Sequence, residues 1–122
     1  MADLSGTWLG TYWQSGAPTR FEATLAQSGN ALSGNVLDDS YLGEAQISGE
    51  VIGRSVTFTK CYLVGQRHCV RYTGTLAESE DFIQGQWNIN LFSSGPWEAH
   101  RSHEDLMADL QAHLAKQVSL VS

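Results

Sequence analysis

A chain of 122 residues has room for one domain built around a single hydrophobic core. Its formal net charge is −6 and its seven Lys and Arg do not cluster, which argues against a nucleic-acid partner, because phosphate binding needs a basic face. There is no basic segment followed by an apolar run at the start, and no apolar stretch approaches the ~18 residues of a membrane span. We therefore expect a cytoplasmic protein with no membrane partner.

From residue 6 to residue 101 the chain repeats segments of alternating polarity that end in short turns of Gly, Ser, Asn or Asp. Alternation with period two is typical of antiparallel strands that bury one face. Ser28-Gly29-Asn30 and Gly53-Arg54 predict tight hairpins, and Ser93-Ser94-Gly95 predicts a slightly longer one. The predicted strands are Gly6–Gln14, Thr19–Gln27, Ala31–Leu37, Gly43–Ile52, Ser55–Leu63, Cys69–Ala77, Phe82–Leu91 and Pro96–Arg101.

Eight meandering strands leave two open sheet edges, and closing the sheet on itself removes both. We therefore predict an all-β fold, an eight-stranded antiparallel up-and-down β-barrel over residues 1–101. Residues 102–122 are assigned to the same domain as a C-terminal α-helix and tail. Ser102 and the acidic residues after it resemble a capping box, and apolar residues then recur on one helical face: Leu106, Met107, Leu110, Leu114 and Val118.

Glycine recurs on the predicted inward face of the strands, which allows two interpretations. The glycines relieve crowding in tightly coiled strands, or they leave room for a ligand inside the barrel. The residues concerned are Gly10, Gly34, Gly49, Gly74 and Gly85.

The opening Gly6-Thr7-Trp8 resembles the G-x-W motif on the first strand of calycins, the superfamily of lipocalins, avidins and fatty-acid-binding proteins. In that superfamily a basic residue at the end of the last strand commonly packs across the tryptophan and closes the barrel base. The resemblance makes Arg101 that residue, over Trp8. The short hairpins are more similar to avidins than to true lipocalins, and the S-G-x-W-x-G-x-Y start is also similar to small uncharacterised bacterial proteins.

If Trp8 and Arg101 mark the closed end, period-two alternation places a set of polar and aromatic side chains near the open end. Apolar walls with a few polar groups are the usual construction of a small-molecule site, although the same residues can fill a core. The predicted ligand-binding residues are Tyr12, Lys60, Tyr62, Tyr72, Trp87 and Trp97.

Lys60 follows Val56 and Phe58 at spacing two, so its ammonium should enter the barrel. Burying it unpaired would be costly. Three outcomes are open: an ion pair with Asp38 or Glu44, a side chain that reaches water at the mouth, or contact with an anionic ligand. A nucleophilic or general-base lysine is a fourth, less favoured outcome.

Cys61 and Cys69 flank one turn and should lie nearly opposite each other on the outer face. A disulfide is geometrically reasonable, but for a cytoplasmic protein we expect two free thiols. Ligand spacing favours no metal site, and we predict no cofactor and no catalytic residues.

The first functional hypothesis is therefore a binding module for a small, partly apolar ligand, with an anionic ligand among the options. The second is an interaction or homo-oligomerisation domain that uses the outer wall and the tail. The third is a small barrel enzyme of the cyclase or isomerase type, which needs no conventional catalytic motif.

Overall fold

The chain forms a closed antiparallel barrel in a computed structural model that describes residues 3–40, 43–63, 68–90 and 93–102. Each strand pairs with its sequence neighbours, and the first pairs with the last, which confirms the predicted eight-stranded up-and-down barrel. The predicted C-terminal helix falls outside the described residues. The strands are β1 (Gly6–Gln14), β2 (Ala17–Ser28), β3 (Ala31–Asp38), β4 (Glu44–Ile52), β5 (Ser55–Tyr62), β6 (Cys69–Leu76), β7 (Phe82–Asn90) and β8 (Ser93–Arg101).

Two strands begin earlier than the turn signals predicted. β2 includes Ala17 and Pro18, because a two-residue turn at Ser15 and Gly16 lets Pro18 pair directly with Trp13. The prediction of a turn at Ser93-Ser94-Gly95 was wrong, since these residues are the start of β8. Gly95 serves close packing there: a Cβ on it would lie 2.3 Å from the carbonyl oxygen of Trp13.

The inward glycines relieve crowding. A Cβ on Gly85 would lie 1.8 Å from the backbone oxygen of Thr73, and one on Gly49 would lie 2.0 Å from that of Thr57. Backbone atoms of the neighbouring strand already occupy the space in front of both residues. These positions therefore leave no room for a ligand and let adjacent strands approach closely.

One end of the barrel is closed by Arg101, whose guanidinium carbon lies 4.8 Å from the ring centre of Trp8. The Trp8 indole donates to the backbone oxygen of Leu4, which is completely buried beneath it. Arg101 also donates to the backbone oxygens of Asp3 and Ser5 and pairs with Asp81 at 3.2 Å. The cation thus ties the N-terminal segment across the base of the barrel.

Cys61 and Cys69 form a disulfide between β5 and β6, so the expectation of free thiols was wrong for this structure. The two residues are direct partners in the ladder, with 4.1 Å between their Cα atoms. The next pair outward is hydrogen-bonded, the Tyr62 amide donating to the His68 carbonyl at 3.1 Å. Cys61 and Cys69 therefore occupy a non-hydrogen-bonded pair, where facing side chains come closest.

In the part of the chain that the structure describes, no helix has the length and apolar content needed to cross a bilayer.

Candidate functional site

A buried ion pair lies inside the barrel, between Lys60 of β5 and Asp38 of β3. The Lys60 ammonium donates to both carboxylate oxygens, at 2.8 and 2.9 Å. The two side chains are 2% and 0% exposed, so water reaches neither charge. Of the outcomes left open for Lys60, the structure selects the ion pair with Asp38. Glu44 is exposed on the outer face of β4.

The alternation of β3 and β5 explains how these two residues meet. Asp38 continues the inward series Leu32, Gly34 and Val36, and it ends its strand. Gly43 and Ala45 lie on the β4 side of Asp38 and carry no side chain or only a methyl group. The lysine and tyrosine of β5 can therefore reach across β4 to the carboxylate.

Three tyrosine hydroxyls complete the cluster around this pair. Tyr12 and Tyr62 donate to Oδ2 of Asp38, at 3.0 and 2.5 Å, and the Lys60 ammonium donates to the Tyr72 hydroxyl at 3.3 Å. The same ammonium lies 4.7, 4.8 and 5.5 Å from the ring centres of Tyr12, Tyr62 and Tyr72. Hydrogen bonds and ring faces together replace the water that both charges lose.

Burial shifts the pKa values of the titratable groups in the cluster. It lowers the pKa of Lys60, although the carboxylate of Asp38 opposes this effect. It raises the pKa of Tyr12, Tyr62 and Tyr72 above the ordinary tyrosine value, and the negative charge of Asp38 adds to the rise at all three. Negative charge on a phenol is thus disfavoured both by the missing water and by the neighbouring carboxylate.

These shifts predict a loss of stability in alkali. Above the ordinary tyrosine pKa of about 10, the unfolded chain releases phenol protons that the folded barrel retains, so rising pH favours unfolding. Of the four tyrosines in the chain, we expect Tyr12, Tyr62 and Tyr72 to ionise only as the barrel unfolds. Absorbance at the phenolate band, recorded with circular dichroism during an alkaline titration, checks this.

The matched variant for this titration is Tyr72→Phe, which removes one of the retained protons. Its free energy of unfolding should fall less steeply with pH above about 10 than that of the wild type. Phenolate absorbance from all four tyrosines while the barrel is still folded would contradict the prediction.

The barrel interior below the cluster is packed. A cavity of about 20 Å³ lies there, with walls that are almost wholly apolar and include Phe58, Ile83 and Trp97. Such a volume suits about one water molecule, which apolar walls would not hold. The space left inside the lower barrel is therefore too small for an organic ligand.

A depression of about 220 Å³, here called the mouth pocket, lies at the open end; depressions on the outer wall reach about 460 Å³. The Trp87 indole stands edge-on to the Tyr12 ring at 6.4 Å, and its N–H donates to the backbone oxygen of Trp13. The ring of His68 lies 4.8 Å from that of Tyr62. The pocket is lined by Tyr12, Gln14, Tyr62, His68, Val70, Tyr72, Trp87 and Ile89.

Of the six residues predicted to bind a ligand, the structure brings Tyr12, Tyr62, Tyr72 and Trp87 to the mouth pocket. Lys60 and Trp97 instead line the small cavity beneath it. The residues predicted from the sequence to bind a ligand did not include His68. It precedes the outward-facing Cys69, so the alternation of the strand places it on the inward face. Among the described residues, no three His, Cys, Asp or Glu side chains are placed to hold a metal ion.

Comparison with known proteins gives the fold and no family. No protein-family model matches the chain, and no curated protein matches it. A solved structure described as the de novo design of a fluorescence-activating beta barrel is similar, with a TM-score of 0.58 and 18% sequence identity. The match covers 81% of this chain and 94% of the designed one.

Proposed function

We propose that this protein is a binding module that holds a small, partly apolar molecule in the mouth pocket. The observation that carries the proposal is a concave, aromatic-walled space of about 220 Å³, in which Tyr12 and Tyr62 are held by hydrogen bonds to Asp38. Ligand sites are commonly largely preformed, with apolar walls and a few oriented polar groups. The resemblance of Trp8 and Arg101 to the closure of calycin barrels supports the same role.

The ion pair explains why these walls would be preformed. Tyr12 and Tyr62 come from different strands, yet both donate to one carboxylate oxygen. Their rings are thereby held before any ligand arrives, and less ordering entropy is lost on binding.

Filling the pocket should abolish binding. Val70 is 5% exposed and lines the mouth pocket, so Val70→Phe places a ring in the space that a ligand would occupy. We expect the wild type to bind members of a small-fragment library, with amide and indole shifts around Trp87 in nitrogen-15 spectra. The variant should lose at least tenfold in affinity for every such fragment.

The matched control is Gln84→Phe, which puts the same ring on the exposed outer face of β7. It should bind the fragments as the wild type does. A library that produces no shifts at the pocket in the wild type, or fragments that bind Val70→Phe equally well, would contradict the proposal.

The outer wall supports a second candidate function, association with another protein or with a second copy. Leu37 and Leu63 are 56% and 39% exposed and line one depression together with Glu22 and Glu44. Native mass spectrometry separates the two functions, since a retained small mass supports the binding module and a stable oligomer supports association.

A further inference from the structure

The charges beneath the mouth pocket are already matched to each other. An ammonium has three N–H donors, and those of Lys60 go to the two oxygens of Asp38 and to the Tyr72 hydroxyl. The carboxylate accepts these two bonds and two more from Tyr12 and Tyr62. An anionic ligand would find no unused donor on Lys60, and a cationic ligand would find no unused acceptor on Asp38.

The faces of the aromatic rings around the ion pair are likewise already in contact with a cation. The Lys60 ammonium lies within 4.7 to 5.8 Å of four ring centres, those of Tyr12, Phe21, Tyr62 and Tyr72. Rings that would otherwise attract a cation at the mouth already face one from inside.

What the cluster offers to the mouth is the hydroxyl groups of its three tyrosines. Because Tyr12 and Tyr62 give their protons to Asp38, their oxygens can act toward a ligand only as acceptors. The Tyr72 hydroxyl instead accepts from Lys60, so its own proton can be donated to a ligand. A hydroxyl that donates to a carboxylate is also a stronger acceptor, through cooperative polarisation. The matching group on a ligand is a hydroxyl, which can donate to either of the first two oxygens and accept from Tyr72.

The size and walls of the pocket complete the description. An apolar cavity of about 150 Å³ is known to accept benzene, so about 220 Å³ accommodates one substituted ring. Trp87 and Tyr12 provide aromatic walls, and Val70 and Ile89 provide aliphatic ones.

We infer that the ligand is an uncharged single-ring aromatic with a hydroxyl group, a phenol being the simplest example. This inference rests on the proposed function, because it describes the occupant of the same pocket. It differs from the anionic ligand that the sequence suggested, because an anionic ligand would need an unpaired Lys60.

Three phenols with similar skeletons and different charge provide the test: tyrosol (neutral), 4-hydroxyphenylacetate (anionic) and tyramine (cationic). Each is titrated into the wild type at neutral pH, with tryptophan emission and Trp87 indole shifts as readouts. We expect tyrosol to bind at least tenfold more tightly than either charged compound. In a second arm, p-cresol should bind at least fivefold more tightly than toluene, which has no hydroxyl group.

The outcomes separate the two claims. Tighter or equal binding of a charged phenol, or equal binding of p-cresol and toluene, would overturn the ligand class and leave the pocket as the binding site. Val70→Phe should abolish tyrosol binding and Gln84→Phe should preserve it. No binding of any compound at millimolar concentration would overturn the inference, and the fragment screen described above then decides separately whether the proposed function survives.

Discussion

Replacing Asp38 by Asn should lower the free energy of unfolding by about 3–5 kcal/mol, because it leaves the Lys60 charge buried without a counter-charge. That loss is a large part of the stability of a typical domain, which is about 5–15 kcal/mol. Urea unfolding followed by circular dichroism gives the value. Glu44→Gln is the matched control, since Glu44 begins β4 and is exposed; it should change stability by less than about 0.5 kcal/mol.

A double-mutant cycle separates the pair from the individual side chains. Lys60→Met alone should cost a similar amount, whereas Asp38→Asn combined with Lys60→Met should recover at least half of the loss, since no buried charge remains. Simple additivity of the two single changes would show that the pair is not the source of the effect.

The Asp38→Asn variant should also show its own pH dependence. Burial lowers the pKa of Lys60 in the native barrel, and removing the carboxylate removes the effect that opposes this. Between the lowered native pKa and the ordinary lysine value of about 10.4, the unfolded chain holds a proton that the folded chain lacks. Stability of the variant therefore rises with pH in that interval, and its deficit against the wild type should be larger at about pH 6 than at about pH 9.

Replacing Gly85 by Ala should cost about 3 kcal/mol, the upper part of the range for overpacked interiors. The added methyl would lie 1.8 Å from the Thr73 oxygen and 2.5 Å from the Gly74 Cα. These are backbone atoms of the paired strand, so relief requires β6 and β7 to move apart and weaken their hydrogen bonds. Thermal and urea unfolding of the variant measure the effect.

Gly53→Asn is the comparison for that variant. Gly53 has a positive φ of 60°, which asparagine tolerates better than most residues, and nothing lies within 4 Å of its Cβ position. We expect it to cost less than about 1 kcal/mol. If Gly85→Ala is no more costly than Gly53→Asn, the inward glycines are not there to allow close strand packing.

The strand pattern and its phase could be predicted from the sequence because period-two alternation responds directly to the inside and outside of a barrel. β1 has the predicted bounds, and the remaining strands differ from their predicted bounds only at their ends. The departures at Ala17–Pro18 and Ser93–Gly95 occur where proline and glycine usually mark turns. Here strand pairing takes precedence over that local preference, since Ala17–Pro18 pair with β1 and Ser93–Gly95 pair with β7.

The sequence predicts which residues face the barrel interior, but it does not predict how far each of them lies from the open end. The alternation of inward and outward residues by itself favours Asp38 over Glu44 as the partner of Lys60. Asp38 continues the inward series of β3, whereas Glu44 lies on the outward face of β4. The alternation cannot show that Trp97 fills the packed interior while Trp87 lines the mouth pocket. The height of each ring in the barrel depends on strand tilt and on the rings between them. The disulfide depends on redox conditions outside the sequence, and a cytoplasmic location, still a prediction, would keep the thiols reduced.

The pairing of β1 with β8 has a consequence for the folding of the chain. The other seven strand pairs are hairpins between neighbours, whereas Arg101 and Ser5, which hydrogen-bond across this seam, are 96 positions apart. Joining distant segments carries the largest loop-closure entropy, so we expect the seam to form last in folding and to open first in unfolding. An open seam would present two unpaired edges to other copies of the chain. We therefore expect the contacts of Arg101 with Trp8, Asp3 and Ser5 to slow the opening of the seam and so to limit edge-to-edge aggregation.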